Sequence, residues 1–206
     1  NRLMQNGQKS FLGDALRGVG FAISREEAEM LLKKPANIEC VLPYLNGEDL
    51  NSEPRQQPNR YVICFHDWPL EKAQKYPDLL DIVKERVKPE RDKVKEIRER
   101  AHWWLFARYR GALRKATDNL TRVLIRSEVG EHHMLVFAPK NWICSHMLVV
   151  FAYDDFYHFA MLQSHIHEVW LRRQASTMRT DIRYTPTDCF QTFPFPQRLG
   201  ESQRMA

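Results

Sequence analysis

The sequence predicts an α+β protein, in which helices pack on an antiparallel or mixed sheet and a helical part follows at the C-terminus. One observation behind this prediction is a set of short runs rich in β-branched and aromatic residues, at 121–125, 133–137 and 147–151. Turn-like residues separate the runs, as in an antiparallel meander. The other observation is helical spacing of apolar residues upstream and downstream of the runs.

The N-terminal elements follow from local patterns. Alternating residues over 16–23 predict a strand. Ser24 stands three residues before Glu27, the spacing of a capping box, so a helix is expected to begin there. Pro35 is expected to end this helix, because proline cannot continue the hydrogen-bond ladder.

The next segment, 43–58, predicts a long ordered or binding loop, because it is rich in proline, asparagine and acids and has neither a helical nor a strand period. Its polar side chains either contact a ligand or cap the backbone. They are Asn46, Glu48, Asp49 and Asn51. Residues 60–65 predict a short buried strand.

A long helix is predicted from Pro77 onward, with Pro89 at a position suited to a helical first turn. Its apolar stripe has spacings of three and four residues. The stripe is Val94, Ile97, Ala101 and Trp104.

After the strands, Asp154 or Asp155 is expected to cap a second long helix that continues to Arg173. Its apolar residues are Phe159, Leu162, Ile166 and Trp170. A last short helix is predicted at 185–188, where a threonine cap precedes a first-turn proline and an acid, and Pro194 ends it.

Composition limits the class of protein. The chain has 206 residues, enough for one sizeable core or for a domain with a helical appendage. Its 31 basic and 26 acidic residues give a net charge of +5, which is compatible with a polyanionic partner and also common in soluble proteins. No apolar run is long enough to cross a bilayer and no secretory signal is present, so a cytoplasmic protein without a membrane partner is predicted. Four widely separated cysteines predict free buried thiols.

Motifs for catalysis, metals and cofactors are missing from the sequence. Gly18 and Gly20 are followed by Phe21 and Ala22 instead of a third glycine that opens a helix, so a cofactor turn is not predicted. His165 and His167 stand two residues apart and would point to different sides of a helix, whereas metal ligands on one helix need a spacing of three or four. The sequence therefore predicts no catalytic residue, no metal ligand and no cofactor-binding residue.

Several stretches together resemble one family. The tail at 181–196 combines rings, prolines and one arginine, and it follows the helical segment 162–170. Three further stretches occur in the order that the family has them, at 17–21, at 43–51, and at 87–91 followed by Trp103-Trp104. In these features the chain resembles the C-terminal region of the MmeI-like DNA methyltransferases, which are single-chain bacterial enzymes often fused to a restriction nuclease.

The resemblance implies separate roles for two parts of this chain and for the parent protein. Residues 1–145 would be a target recognition domain, and residues 146–206 a C-terminal helical segment with a Phe/Pro-rich tail. The parent would be an adenine-specific methyltransferase that uses S-adenosylmethionine, or a combined restriction-modification enzyme whose nuclease requires Mg²⁺. The partners implied for this chain are duplex DNA and the upstream methyltransferase domain of the same polypeptide.

Residues between the first two strand runs are the predicted base readers, because arginine suits guanine and carboxylates suit cytosine in the major groove. In the resembled family this strand-loop-strand segment selects individual bases. The predicted readers are Arg126, Ser127, Glu128, Glu131, His132 and His133. An ordinary polar hairpin turn is the alternative interpretation.

A second group is predicted to clamp phosphates, because guanidinium forks and hydroxyls both pair with phosphate oxygens. This group is Arg172, Arg173, Thr177, Arg179 and Arg183. Solvation of a helix end is the alternative.

Two functions from different classes therefore stay open. The first is sequence-specific recognition of duplex DNA, and the second is a protein-interaction or assembly domain that docks on a catalytic subunit. Salt-sensitive binding of DNA separates them, because release of condensed counterions makes DNA binding depend steeply on salt.

Overall fold

The computed structural model describes residues 2–178 and 181–196, and for residues 176–178 it describes the backbone alone. The strands are β1 (Ser10–Leu12), β2 (Ala22–Ile23), β3 (Val41–Leu45), β4 (Arg60–Ile63), β5 (Arg122–Ser127), β6 (Val129–Gly130), β7 (Val136–Pro139), β8 (Ile143–Cys144), β9 (Leu148–Phe151), β10 (Ser176–Met178) and β11 (Asp181–Arg183). The helices are α1 (Arg25–Leu31), α2 (Gly47–Ser52), α3 (Leu70–Ala73), α4 (Pro77–Arg86), α5 (Lys88–Arg91), α6 (Ile97–Ala101), α7 (Gly111–Thr117), α8 (Phe156–Gln163) and α9 (His165–Gln174). Within these ranges, none of the helices could cross a membrane.

The described residues form three sheets. The first has the order β1-β9-β5-β7 and is antiparallel throughout. The second, β2-β4-β3-β8, is mixed, because β3 and β8 run parallel. The third, β10-β11-β6, is antiparallel. These sheets with their packed helices confirm the predicted α+β class.

The predicted order of the first sheet was wrong, although its antiparallel pairing was right. A meander would place β7 in the centre, whereas β5 lies between β7 and β9. The reason is that both faces of β5 are buried. Leu124 packs in a cluster with Phe151, while Ile125 packs in a different cluster with Leu148. A strand covered on both faces belongs in the middle of a sheet.

The start of α1 agrees with the sequence prediction. The Ser24 side chain accepts a hydrogen bond from Glu27 N at 3.2 Å. The strand before it is shorter than predicted, since only Ala22 and Ile23 pair with β4. Upstream, Ala15 instead forms an isolated antiparallel bridge with Arg108.

The loop predicted over 43–58 is confined to residues 53–58, because β3 and α2 take up most of the residues before it. The first residues of the predicted segment belong to β3, where Pro43 pairs with Tyr61 of β4. Asn46 then caps α2, because its side chain accepts from Asp49 N at 2.9 Å and the Asp49 carboxylate accepts from Asn46 N at 3.0 Å. For these two residues the structure favours backbone capping over ligand contact.

The predicted long helix after Pro77 is broken into α4, α5 and α6. Ile97, assigned to its apolar stripe, is 74% exposed. Arg91 of α5 and Glu99 of α6 form a buried ion pair across the last break, and Arg91 also donates to Leu16 O at 2.7 Å. A buried charge pair needs such additional hydrogen bonds to offset the cost of desolvation.

The second predicted long helix is also divided, at Ser164, into α8 and α9. Each helix has its own cap: Asp155 accepts from His158 N at 3.1 Å, and Ser164 accepts from His167 N at 3.3 Å. The Asp155 cap was one of the two predicted. The bend turns Ile166 to the surface, so its place in the predicted apolar stripe was wrong.

The tail packs against the first residues of the chain. A π-helical turn spans Pro186–Phe190, where a short helix was predicted. Phe190 and Phe193 are buried, and Asn6 Nδ2 donates to both of their carbonyls, at 3.0 and 2.7 Å. The first sheet contains strands from both sides of the predicted boundary between residues 145 and 146, because β9 pairs with β1 and β5.

Candidate nucleic-acid interface

Residues 128–135, which connect β5 to β7 and include β6, form the recognition loop. β6 pairs with β11, so that Val129 lies opposite Arg183 and Gly130 opposite Ile182. Beyond this pairing, Glu131 and His132 are exposed. The loop therefore presents two of the six predicted base readers to solvent.

Arg126 lies in the core, only 1% exposed. Its Nε donates to Ser127 O at 2.9 Å, and its guanidinium lies 4.5 Å from the centre of the Tyr184 ring. Burial lowers the pKa of Arg126 to about 10, which still leaves the side chain charged at neutral pH. In this arrangement the guanidinium has no surface with which to contact a base, so the direct readout predicted for Arg126 does not fit the geometry.

His133 is buried beside Arg126. Arg126 Nη1 approaches His133 Nδ1 at 2.7 Å, and because arginine can only donate, Nδ1 must accept. The proton then sits on Nε2, which donates to Leu162 O at 2.5 Å. Burial, with the nearby Arg126 charge, lowers the pKa of His133 to about 4. His133 is therefore neutral and ties the loop to α8 instead of facing solvent.

Gln163, at the end of α8, holds the loop backbone. Its Oε1 accepts from Leu135 N, and its Nε2 donates to His133 O, both at 2.8 Å. One amide thus replaces the partner strand that this stretch of backbone lacks. Together with His133, it fixes the C-terminal end of the recognition loop.

Glu128 fixes the other end. Its carboxylate accepts from Arg183 Nε at 3.0 Å, and its carbonyl accepts from Tyr184 N at 2.7 Å. Ser127 is buried as well, and its hydroxyl donates to Val129 O at 2.6 Å and accepts from Asn51 Nδ2 at 3.2 Å. The structure thus places four predicted readers, Arg126, Ser127, Glu128 and His133, in buried contacts below the loop.

A cleft of about 620 Å³ opens between this loop and α2. We name it the recognition cleft and define it by the polar side chains in its lining, which are Asn51, Ser52, Glu53, Gln56, Glu131, His132 and Asp181. The set combines amides, carboxylates and an imidazole, and therefore offers both donors and acceptors.

Gln56 and Asp181 were missed by the sequence reasoning. Gln56 adopts a left-handed backbone conformation, with a φ of 52°. Its amide donates a hydrogen bond to Met134 Sδ at 3.1 Å. Asp181 joins the cleft because β11 pairs with β6. No local pattern signals either contact, since each depends on a segment about 50 or more residues away.

The predicted phosphate group is only partly described. Arg172 and Arg173 are both exposed on α9, and Arg172 donates a hydrogen bond to the Glu168 carboxylate at 2.7 Å. Arg183 lies on β11, opposite Ser176 of β10, and donates to Glu128. Arg179 and the side chain of Thr177 lie outside the described residues.

The placement of His165 and His167 and the state of the cysteines agree with the sequence predictions. His165 is exposed and His167 is buried, so they point to different sides of α9 as predicted. The described cysteines, Cys40, Cys64, Cys144 and Cys189, are free and buried. Within the described ranges, no group of three or more His, Cys, Asp or Glu side chains is arranged to hold a metal ion.

Comparisons with known proteins identify the family of the chain and a solved structure with a similar fold. The family model described as "MmeI, target recognition domain" matches residues 3–197. DNA methyltransferase A of Bacillus subtilis (strain 168) is 32% identical over 60 residues, which are 29% of this chain and 7% of that protein. The fold is similar to a chain in the solved structure of the Type IIL restriction-modification enzyme MmeI in complex with DNA, with a TM-score of 0.73 and 16% identity over 95% of this chain. The match covers 26% of that longer chain.

Proposed function

The chain belongs to the MmeI target recognition domain family, and from this premise we propose that it recognises a short sequence in duplex DNA through the recognition cleft. The observation that carries the proposal is the cleft itself, whose polar side chains stand beside a loop fixed at both ends. Fixed donors and acceptors are what readout of base edges requires.

Chemistry supports reading of bases by the side chains that line the recognition cleft. Asn51 and Gln56 carry amides, which suit the N6 and N7 atoms of adenine, while Glu131 and Asp181 can accept from the amino group of cytosine. His132 can donate to an acceptor such as guanine N7 or O6. These residues line one depression, so neighbouring bases could be read together.

The buried members of the predicted set take a different role in the proposal. Arg126, Ser127, Glu128 and His133 position the loop, and Glu131 and His132 make the contacts. The support is that each buried side chain already has hydrogen bonds within the protein. Breaking these bonds to reach a base would leave buried polar atoms without partners.

Phosphate contacts remain assigned to Arg172, Arg173, Thr177, Arg179 and Arg183. The exposed guanidinium groups of Arg172, Arg173 and Arg183 support this assignment, because phosphate contact needs accessible, permanently charged donors. These contacts would fix the register of the domain on DNA without reading its sequence.

Chemistry on the DNA is proposed for the rest of the parent protein. There, a methyltransferase domain would transfer a methyl group from S-adenosylmethionine to adenine, and a nuclease with Mg²⁺ could be part of the same enzyme. The similarity to DNA methyltransferase A supports methyl transfer by the parent. This chain would choose the site at which that domain acts.

Docking on a catalytic subunit is the second candidate function, and one observation favours it. Ile166 and Val169 lie one turn apart on α9 and are 69% and 53% exposed. Apolar side chains on one exposed helix face suit a protein interface. The two functions are compatible, since one surface could dock while another reads DNA.

Selection of preferred sites tests the first function. The complete chain is incubated with a library of random duplexes, and the bound fraction is sequenced at two salt concentrations. We expect a short preferred motif and salt-sensitive binding. Glu131→Gln and His132→Ala should change the preferred base at one position, whereas the control Glu71→Gln, exposed on α3, should not. Absence of any preferred motif in the wild-type chain would refute sequence recognition.

A further inference from the structure

A second cleft, of about 360 Å³, lies next to the recognition loop and is lined by four arginines. We name it the arginine cleft and define it by Arg17, Arg108, Arg110 and Arg183. We propose that it seats phosphates of the DNA backbone while the recognition cleft reads base edges. The proposal rests on the proposed function and names three arginines that have no role in it.

The cleft exists because two distant segments of the chain meet. Ala15 and Arg108 exchange two backbone hydrogen bonds, each 3.1 Å long, which bring Arg17 alongside Arg108 and Arg110. β11 then adds Arg183 from the far end of the sequence. No run of basic residues in the sequence marks this site.

Three of the four arginines are anchored by a contact at one edge of the guanidinium group. Arg110 Nε donates to Gly13 O at 3.1 Å, and Arg183 Nε donates to Glu128 at 3.0 Å. Arg17 Nη1 pairs with Glu99 at 2.7 Å. Among the described residues, the terminal nitrogens of Arg110 and Arg183 and the whole guanidinium of Arg108 have no hydrogen-bond partner, so they can fork onto a ligand.

Charge and lining chemistry indicate the class of ligand. Glu128 is the single carboxylate in the lining, so the cleft carries a clear excess of permanent positive charge. The other lining residues are Leu12, Ala15, Ala107 and His146. Because the lining has no aromatic carbocycle for stacking and few acceptors, it suits the charge of a phosphate better than the edge of a base.

The two clefts are placed for one ligand to occupy both. Asp181 lines the recognition cleft, and Arg183 lines the arginine cleft. These residues are two positions apart on β11, a distance of about 7 Å along a strand. A duplex whose base edges reach Asp181 therefore carries backbone phosphates close to Arg183.

Salt dependence of DNA binding tests the proposal. Arg108→Gln and Arg17→Gln are compared with the control Arg25→Gln, which is exposed on α1 and lines neither cleft. The complete chain is titrated with its preferred duplex and with an unrelated duplex at several salt concentrations. Each cleft variant should lower the association constant for both duplexes by the same factor. It should also reduce the slope of the logarithm of this constant against the logarithm of salt concentration by about 0.9.

Arg108→Lys separates charge from shape, because it keeps the cation and should restore most of the slope. Since the Arg108 side chain has no hydrogen-bond partner among the described residues, its variants should have the same free energy of unfolding as the wild-type chain. A slope unchanged in both glutamine variants, while the wild-type chain still prefers its motif, would overturn the arginine cleft alone. Failure of the wild-type chain to bind DNA would instead overturn the proposed function.

Discussion

Glu128 and Arg183 form an ion pair, 3.0 Å between Oε1 and Nε, that joins the entrance of the recognition loop to β11. The carboxylate is buried, whereas the Arg183 side chain is 45% exposed. One end of the pair is therefore fixed in the protein and the other is presented to solvent. A charge held in this way has lost its rotamer freedom before any ligand arrives, which lowers the entropic cost of binding.

Glu128→Gln should strengthen binding to an unrelated duplex and reduce discrimination between duplexes. The substitution removes the single negative charge from the arginine cleft while it keeps an oxygen acceptor for Arg183. Titration of the preferred and unrelated duplexes measures both effects, with Glu71→Gln as the control. Weaker binding to the unrelated duplex would contradict the electrostatic reasoning.

Arg126→Met should lower the free energy of unfolding by about 1–3 kcal/mol, because it leaves the buried His133 Nδ1 without a donor. The double variant Arg126→Met with His133→Leu removes both partners. We expect the double variant to lose less unfolding free energy than the two single variants lose together. Urea unfolding of the wild-type chain and the three variants measures these losses. Strict additivity would show that the two side chains are not coupled.

Acid should destabilise the fold through His133 and His167. Burial lowers their pKa values from 6.5 to about 4 and about 3, so the unfolded chain binds protons more readily than the folded chain. Their contribution is complete above pH 6.5 and is lost as the pH falls toward about 4 for His133 and about 3 for His167, by up to about 1.4 kcal/mol per pH unit for each group.

Substitution of one histidine checks this pH dependence. His167→Gln should reduce the slope of unfolding free energy against pH between 6.5 and 4, whereas His165→Gln should leave it unchanged because His165 is 84% exposed. Equal slopes in the wild-type and His167→Gln chains would rule out the linkage to His167.

Gln163→Ala should loosen the recognition loop without unfolding the domain. It removes the two 2.8 Å hydrogen bonds to His133 O and Leu135 N. We expect faster amide exchange over residues 129–135 and weaker sequence preference, with an unchanged salt slope, because no charge is lost. Gln74→Ala, exposed at the end of α3, is the matched control. Unchanged exchange in this loop would show that Gln163 does not hold it.

Local hydrogen bonds explain what could be predicted from sequence. The caps at Ser24 and Asp155 join residues three apart, so their partners are visible in a few letters. The strand runs around Leu124 and Val149 were visible for a similar reason, because β-branched and aromatic side chains favour extended chain. The family resemblance was carried by stretches of this kind and is confirmed by the match over residues 3–197.

Burial of polar groups could not be predicted in this way. Arg126 and Glu131 are only five residues apart, yet Arg126 is buried against the ring of Tyr184, a residue far along the sequence, whereas Glu131 is exposed. The burial of Arg91 likewise involves a distant partner, because its guanidinium donates to the carbonyl of Leu16, 75 residues away.

The sequence by itself therefore determined the fold class, the helix caps, the free thiols and the family. Tertiary structure alone decided which predicted readers are exposed, and it assembled the arginine cleft from Arg17, Arg108, Arg110 and Arg183. The physical reason is range. Caps and strand propensity act over a few residues, whereas desolvation and charge clustering depend on every segment that packs nearby.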